Sequence, residues 1–263
     1  MIVAAARVRG VAQPRSVDVD ERAWRVRIDD AQVSSSEIDW DVPAIGDVYG
    51  IAFNLQGALE KLGEAVHAAP YLGPPKAPVL YIKPINTRVG SGAQVILPAD
   101  VQAVRCSGAL GIVIGRAASR VKESEALQYI GGYTVVNDVS VPHENFYRPA
   151  IREKCRDTFC PIGPWVVSAT QVSDPNALVI KTFINDELMH EARMSALVRS
   201  IPRLIADVSA FMTLAEGDVL LAATAEDAPL AHAGDRVAIE IGGIGRLENR
   251  VVRESEAALG VAR

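Results

Sequence analysis

The 263-residue sequence predicts an α+β fold that is mostly β. Two observations carry this. Short runs of β-type residues recur between Gly, Pro, Asn and Asp turns along the chain. The regular strand-helix alternation that marks a doubly wound parallel sheet is missing. Composition agrees with a compact globular protein, since 49% hydrophobic and 22% charged residues lie near the soluble average. The length suffices for a substantial core.

Residues 1–47 read as a small β-rich amino-terminal segment, with runs at 2–8 and 24–28 separated by polar and Pro-containing turns. Residues 48–263 read as the core domain. There Leu55, Leu59, Leu62 and Val66 recur at helical spacing, and Asn54 stands where an N-cap belongs, so an amphipathic helix is expected. The stretch from Tyr71 to Pro78 holds three prolines and is a connecting loop. Strands follow at 79–82 and 110–114. A short helix is expected at 123–130, stopped by Gly131 and Gly132. A strand at 133–139 then delivers Asp138 near its end.

Ser200 and Pro202 open a further helix, with Leu204, Ile205, Val208, Phe211 and Met212 on one face. The tail alternates strands at 219–221, 237–241 and 247–252 with Gly-Asp turns. The glycines at 242, 243 and 245 have a superficial dinucleotide-loop look. They lie between strands and open no helix, so they read as a hairpin turn.

A net charge of -5 without a long Lys/Arg cluster argues against nucleic acid and anionic membrane as partners. The apolar start of the chain turns to charged residues too soon for a secretory or membrane-spanning segment, which sets a cytoplasmic expectation. Cys106, Cys155 and Cys160 form no Cys-x-x-Cys pair and read as reduced thiols in packing roles. His67, His190 and His232 each stand alone among polar or small residues and are expected at the surface.

The run from Gly131 through Asn137 and Asp138, followed by Lys154-Cys-Arg-Asp-Thr-Phe159, resembles the core of the fumarylacetoacetate hydrolase superfamily. Members carry a metal-binding Glu-x-Glu, then an Asn-Asp strand, then a Lys-x-x-Asp-x-Phe loop. Further segments agree in order, among them Tyr81-Ile-Lys-Pro, Leu110-Gly-Ile-Val-Ile-Gly115 and Gly245-Arg-Leu-x-Asn249. The resemblance implies a fumarylacetoacetase C-terminal-domain-like mixed β-roll with few helices. It also implies Mg²⁺ or Mn²⁺ held by three carboxylates, with open positions for a 2-oxo acid and an enolate stabilised by the cation.

Carried over by position, the two glutamates fall on Ser107 and Ala109, and Asp138 is the surviving metal ligand. The superfamily's acid/base His and Glu fall on Ala58 and Lys61. Asn54, Lys83, Lys154 and Thr224 match. The resemblance makes Lys154 the candidate catalytic residue and Lys83 and Thr224 candidates for substrate binding. Arg148 and Arg152 suit bidentate grip of substrate carboxylates. Structural readings stand beside these: Asp138 satisfying backbone donors at a strand end, or Lys154 forming a structural ion pair with Asp157 or another local carboxylate. A substitute metal site of Asp138 with His143 and Glu144 is disfavoured, because adjacent side chains of an extended segment diverge.

A narrower resemblance rests on Ser107-Gly-Ala-Leu110, Val139-Ser-Val-Pro142 and Asn145 to Asp157. These are similar to the amino-terminal half of the bifunctional isomerase/decarboxylases of 4-hydroxyphenylacetate (homoprotocatechuate) catabolism. That family implies a subunit of 5-carboxymethyl-2-oxo-hex-3-ene-1,7-dioate decarboxylase / 2-hydroxyhepta-2,4-diene-1,7-dioate isomerase, with a degenerate metal site. Its substrate would be a small di- or tricarboxylate 2-oxo acid, and its partner a metal-bearing paralogous subunit or another copy of itself. Two alternatives remain: a non-catalytic scaffold for such a paralogue, and an acylpyruvate-type carbon-carbon hydrolase.

Overall fold

The computed structural model describes residues 1–257 except Asp30, Pro70, Tyr71, residues 144–149 and Glu226. In chain order the strands are β1 (Ile2–Ala6), β2 (Arg15–Asp20), β3 (Arg25–Ile28), β4 (Ala31–Ser34), β5 (Val48–Ala52) and β6 (Val79–Lys83). Next come β7 (Arg88–Val89), β8 (Gln94–Leu97), β9 (Val104–Ile114), β10 (Ile130–Ser140) and β11 (Cys160–Ser168). The last are β12 (Val179–Ile184), β13 (Glu187–Arg193), β14 (Val219–Leu221), β15 (Leu230–Ala231), β16 (Arg236–Ile241) and β17 (Gly245–Arg253). The α-helices are α1 (Ile151–Lys154) and α2 (Ile201–Ser209). The mostly-β expectation holds.

Two open sheets form the body. The larger runs β4-β3-β2-β1-β11-β10-β9-β14-β5-β6, with β15 also on β9 and β7 also on β11; the smaller runs β13-β12-β16-β17-β8. Most pairs are antiparallel, with parallel pairing at β14 on β5, β7 on β11 and β17 on β8. The strands of the amino-terminal segment continue the large sheet, because β1 pairs with β11.

Period-two alternation along β9 sorts its side chains between two cores. Cys106, Leu110 and Ile112 enter the main core, whereas Ala109 and Val113 join a smaller cluster with Val48, Val136, Cys160, Ile162 and Val219. Gly108 sets how closely the sheets approach: a Cβ there would lie 2.7 Å from an Ile180 methyl and 2.8 Å from an Ile239 methyl. Ser107, one step along, therefore points away from the sheet-sheet interface, and so does Asp138, its direct cross-strand partner.

Several expectations about local structure need correction. The stretch 55–66 is no amphipathic α-helix: Leu55 bridges Leu197, and Glu60–Val66 is 3₁₀ broken at Gly63, whose φ is +51°. Asn54 does not cap a helix. Its side chain is buried and donates to the carbonyls of Arg199 and Ala222 while accepting from the Arg199 amide. Glycines 131 and 132 do not stop a helix either; they begin β10, after a 3₁₀ turn at Glu123–Tyr129. A Cβ on Gly132 would sit 2.4 Å from the Val167 carbonyl oxygen, so these glycines serve close backbone approach inside the sheet. Helix α2 forms as expected, with the Ser200 hydroxyl accepting from the Arg203 amide. It ends at Ser209, which leaves Phe211 outside its buried face and 66% exposed. The glycines at 242 and 243 turn the chain between β16 and β17, as read from the sequence.

Candidate active site

The candidate site grows from three strands and one short helix. β10 supplies Asp138 and β9 supplies Ser107 opposite it. β6 supplies Tyr81 and Lys83, two residues apart and hence on one face. Helix α1 supplies Lys154 at its last position.

Asp138 is 1% exposed, and its charge is met by two ammonium groups. Lys154 Nζ donates to Oδ2 at 2.7 Å, and Lys83 Nζ lies 2.7 Å from Oδ1. The Tyr81 hydroxyl donates to Oδ2 at 2.8 Å and lies 3.4 Å from Thr224 Oγ1. Lys154 Nζ also stands 4.3 Å from the centre of the Tyr81 ring. Lys83 is itself fully buried. Its three N–H groups go to the carbonyls of Val139, Lys154 and Phe159 at 2.7, 2.9 and 2.9 Å. The contact of Lys83 with Asp138 Oδ1 is therefore charge against charge, without a proton of its own.

These contacts set the protonation states. Burial alone would raise the Asp138 carboxyl, but Lys154 and Lys83 outweigh it and hold the group down at about 2. Burial, reinforced by the Asp138 charge, pushes the Tyr81 phenol well above its ordinary value. Burial lifts the Cys106 and Cys160 thiols to about 12 and raises Cys155 as well. The free cysteines are thus poor nucleophiles.

A cavity of about 480 Å³ opens over this cluster. Its described lining includes Phe53, Tyr81, Arg105, Ser107, Asp138 and Lys154, and also takes in Ser140, His143, Cys155 and Thr224. The volume suits a small organic ligand. Of the sequence-predicted residues, Asp138, Lys154, Thr224 and Ser107 meet here, with Lys83 directly beneath. Arg152 lies elsewhere: its side chain is 80% exposed and pairs with Asp100 at 3.4 Å. Arg148 and Glu144 fall outside the described residues. Asp138 is satisfied by side chains rather than by backbone donors. Lys154 does form an ion pair with a carboxylate, and the partner is Asp138; Asp157 accepts from Asn86. His190, expected at the surface, is only 20% exposed and lies 3.6 Å from Asp227.

The donor set does not suit a hard divalent cation. Such an ion wants several oxygen ligands at once. The Ser107 hydroxyl already accepts from the Ala225 amide at 2.8 Å, and Ala109 is packed in the smaller apolar cluster. The remaining carboxylate has an ammonium against each oxygen, where a cation would meet repulsion. Among the described residues no group of three or more His, Cys, Asp or Glu side chains converges. At the acid/base positions, Ala58 is buried and Lys61 is exposed in an ion pair with Asp227.

Two site residues escaped the sequence reading. Tyr81 was quoted only as part of a matching segment, though it shares a strand face with Lys83. Arg105 shares a face with Ser107 in the same way. Period two along each strand was the available signal.

Fold and site together define the class. The model of the fumarylacetoacetate (FAA) hydrolase C-terminal family matches residues 47–252, and the chain belongs to that family. Over 220 residues the chain is 38% identical to the 4-hydroxyphenylacetate degradation bifunctional isomerase/decarboxylase of Salmonella dublin, a match covering 83% of this chain and 49% of that protein. The chain thus spans about half the length of this curated relative. Among solved structures, the 2-hydroxyhepta-2,4-diene-1,7-dioate isomerase from Mycobacterium marinum superimposes with a TM-score of 0.77 at 28% identity, over 97% of this chain and 100% of that one. Fumarylpyruvate hydrolase from Pseudomonas aeruginosa, solved with Mn²⁺ and pyruvate, shares the fold at a TM-score of 0.70 and 20% identity, over 97% of each chain. Among the described residues no helix is long and apolar enough to cross a membrane.

Proposed function

We propose that this chain serves the decarboxylase/isomerase chemistry of 4-hydroxyphenylacetate catabolism as a subunit with a degenerate metal site, working beside a metal-bearing paralogue. The observation that carries this reading is the Asp138 carboxylate held between Lys83 and Lys154 at 2.7 Å each. An ammonium group stands against each oxygen through which Asp138 would hold a cation. The cavity still suits a small 2-oxo acid, because Lys154 and Arg105 give it positive charge and Phe53 and Ile82 give it apolar wall.

What the residues can do follows from their protonation states. Lys154 can attract a substrate carboxylate or a developing enolate oxygen, but one shared ammonium stabilises such charge less than a chelating divalent cation does. Tyr81 keeps its proton and donates it to Asp138. No residue at the acid/base positions can take a substrate proton. The isolated chain is therefore a slow catalyst, and its contribution is a folded partner surface with a binding pocket. Lys154 and Thr224 line that pocket, and Lys83 braces Asp138 from beneath it. Arg152 lies outside it, paired with Asp100.

The test is metal content and decarboxylase turnover of the purified chain with Mg²⁺ or Mn²⁺, before and after mixing with a Glu-x-Glu-bearing paralogue. Little bound metal, slow turnover alone and a gain on mixing support the proposal. Stoichiometric metal with fast CO₂ release by the chain alone overturns it. Acylpyruvate cleavage, assayed in parallel, is expected to be slow, since Ala58 and the ion-paired Lys61 stand at the positions where the superfamily's acid/base pair would activate water.

A further inference from the structure

Arg105 stands on the cavity face of β9, two residues before Ser107. Its cross-strand partner is Ser140, as Asp138 is the partner of Ser107. Residues two apart on a strand are separated by about 7 Å. The row of Arg105 and Ser140 therefore lies about 7 Å along the sheet from the row of Ser107 and Asp138, where Lys154 also points. Both rows line the same cavity.

The guanidinium is partly used. Nη1 donates to the Ala228 carbonyl at 3.0 Å, which fixes the side chain against the loop before β15. No carboxylate pairs with Arg105 among the described residues, although most of the chain's other arginines in and around the sheets have one. Of the charged residues in the described lining, Arg105 and Lys154 outnumber the one carboxylate, Asp138. A low-dielectric wall around two cations and one anion favours an anionic guest.

We propose that Arg105 is a specificity-determining residue that receives the second, distal carboxylate of a dicarboxylate ligand whose 2-oxo acid end lies at Lys154. The proposal deepens the reading of this cavity as a 2-oxo acid site and rests on it. A planar guanidinium held at one corner by a backbone carbonyl presents its remaining N–H groups as a fork, the arrangement that suits a carboxylate. An extended chain of six or seven carbons spans the distance between the two rows.

The experiment uses a matched pair of probes: 2-oxoadipate and 2-oxohexanoate have the same carbon chain and differ only in the distal carboxylate. Calorimetric titration of each is carried out in EDTA and again with Mn²⁺, on the wild type, Arg105→Gln and Arg105→Lys. Gln keeps a polar N–H group on a shorter, uncharged side chain, and thermal melts check folding. The wild type is expected to prefer 2-oxoadipate by about tenfold or more, the worth of one charge-assisted bond. Arg105→Gln should lose that preference while keeping its affinity for 2-oxohexanoate, and Arg105→Lys should recover part of it.

An unchanged preference in Arg105→Gln overturns the assignment of Arg105 whatever the metal. Binding of both probes only with Mn²⁺ overturns the cation-free reading of the site instead, and the ratio measured with Mn²⁺ still decides the role of Arg105. No binding under either condition overturns both.

Discussion

Gly50 lies directly across the strand pair from Tyr81, and a methyl at this glycine would sit 2.0 Å from Cζ of the phenol ring. The absence of a side chain on β5 is what lets the ring lie over that strand and bring its hydroxyl to Asp138. Gly50→Ala should expel the ring, break the 2.8 Å bond to Asp138 and destabilise the fold by about 1–3 kcal/mol. Urea unfolding checks this. The double variant Gly50→Ala/Tyr81→Ala should lose less than the sum of the two single changes, because the clash exists only when both side chains are present.

Lys83 makes the sharper stability test. Lys83→Met would leave three carbonyls without a donor and Asp138 Oδ1 without a counter-charge. Removing one partner of a buried pair costs about 3–5 kcal/mol. Adding Asp138→Asn should return part of that loss by removing the unbalanced anion. A double variant no more stable than Lys83→Met would show that the charge contact carries little.

Acid should undo the same cluster in a defined window. The Asp138 carboxyl falls from an ordinary 3.8 to about 2 in the folded chain. A depressed carboxyl contributes stability that is complete above the unfolded value and is lost as pH falls through the folded one. From about pH 4 down to about pH 2 this group should therefore remove about 2 kcal/mol. Unfolding free energy measured across that window should have a shallower slope in Asp138→Asn than in the wild type.

Metal addition should distinguish the present chain from a restored one. Millimolar Mn²⁺ should leave the melting temperature of the wild type unchanged. Ser107→Glu/Ala109→Glu puts carboxylates back on the strand face that already holds Asp138, one of them into an apolar cluster, so this variant should be less stable in EDTA. Mn²⁺ should then raise its melting temperature, since a ligand that binds only the folded state stabilises it. An equal response in both proteins would refute the proposal that the site of this chain is degenerate.

The sequence disclosed the strands well because their signals are local. Residues 219–221 form a strand as read, and the strand that delivers Asp138 extends the expected one by only a few residues. The helix read at 55–66 failed because its leucine spacing reflects separate contacts, Leu55 bridging Leu197 across the chain. Local periodicity cannot report a partner more than a hundred residues away. The same limit applied to the site. The motif positions pointed to Asp138, Lys83, Lys154 and Thr224, which the fold brings close together, whereas the exit of Arg152 to Asp100 depends on how α1 is set against the loop after β8.

The ammonium of Lys83 ties together β6, the end of β10, the last residue of α1 and the residue before β11 at a single nitrogen. A receptor braced in this way offers a visiting molecule a floor that needs no ordering on contact. The entropic toll of association then falls mainly on the guest, and calorimetry should find affinities that follow its charge and length more than its flexibility.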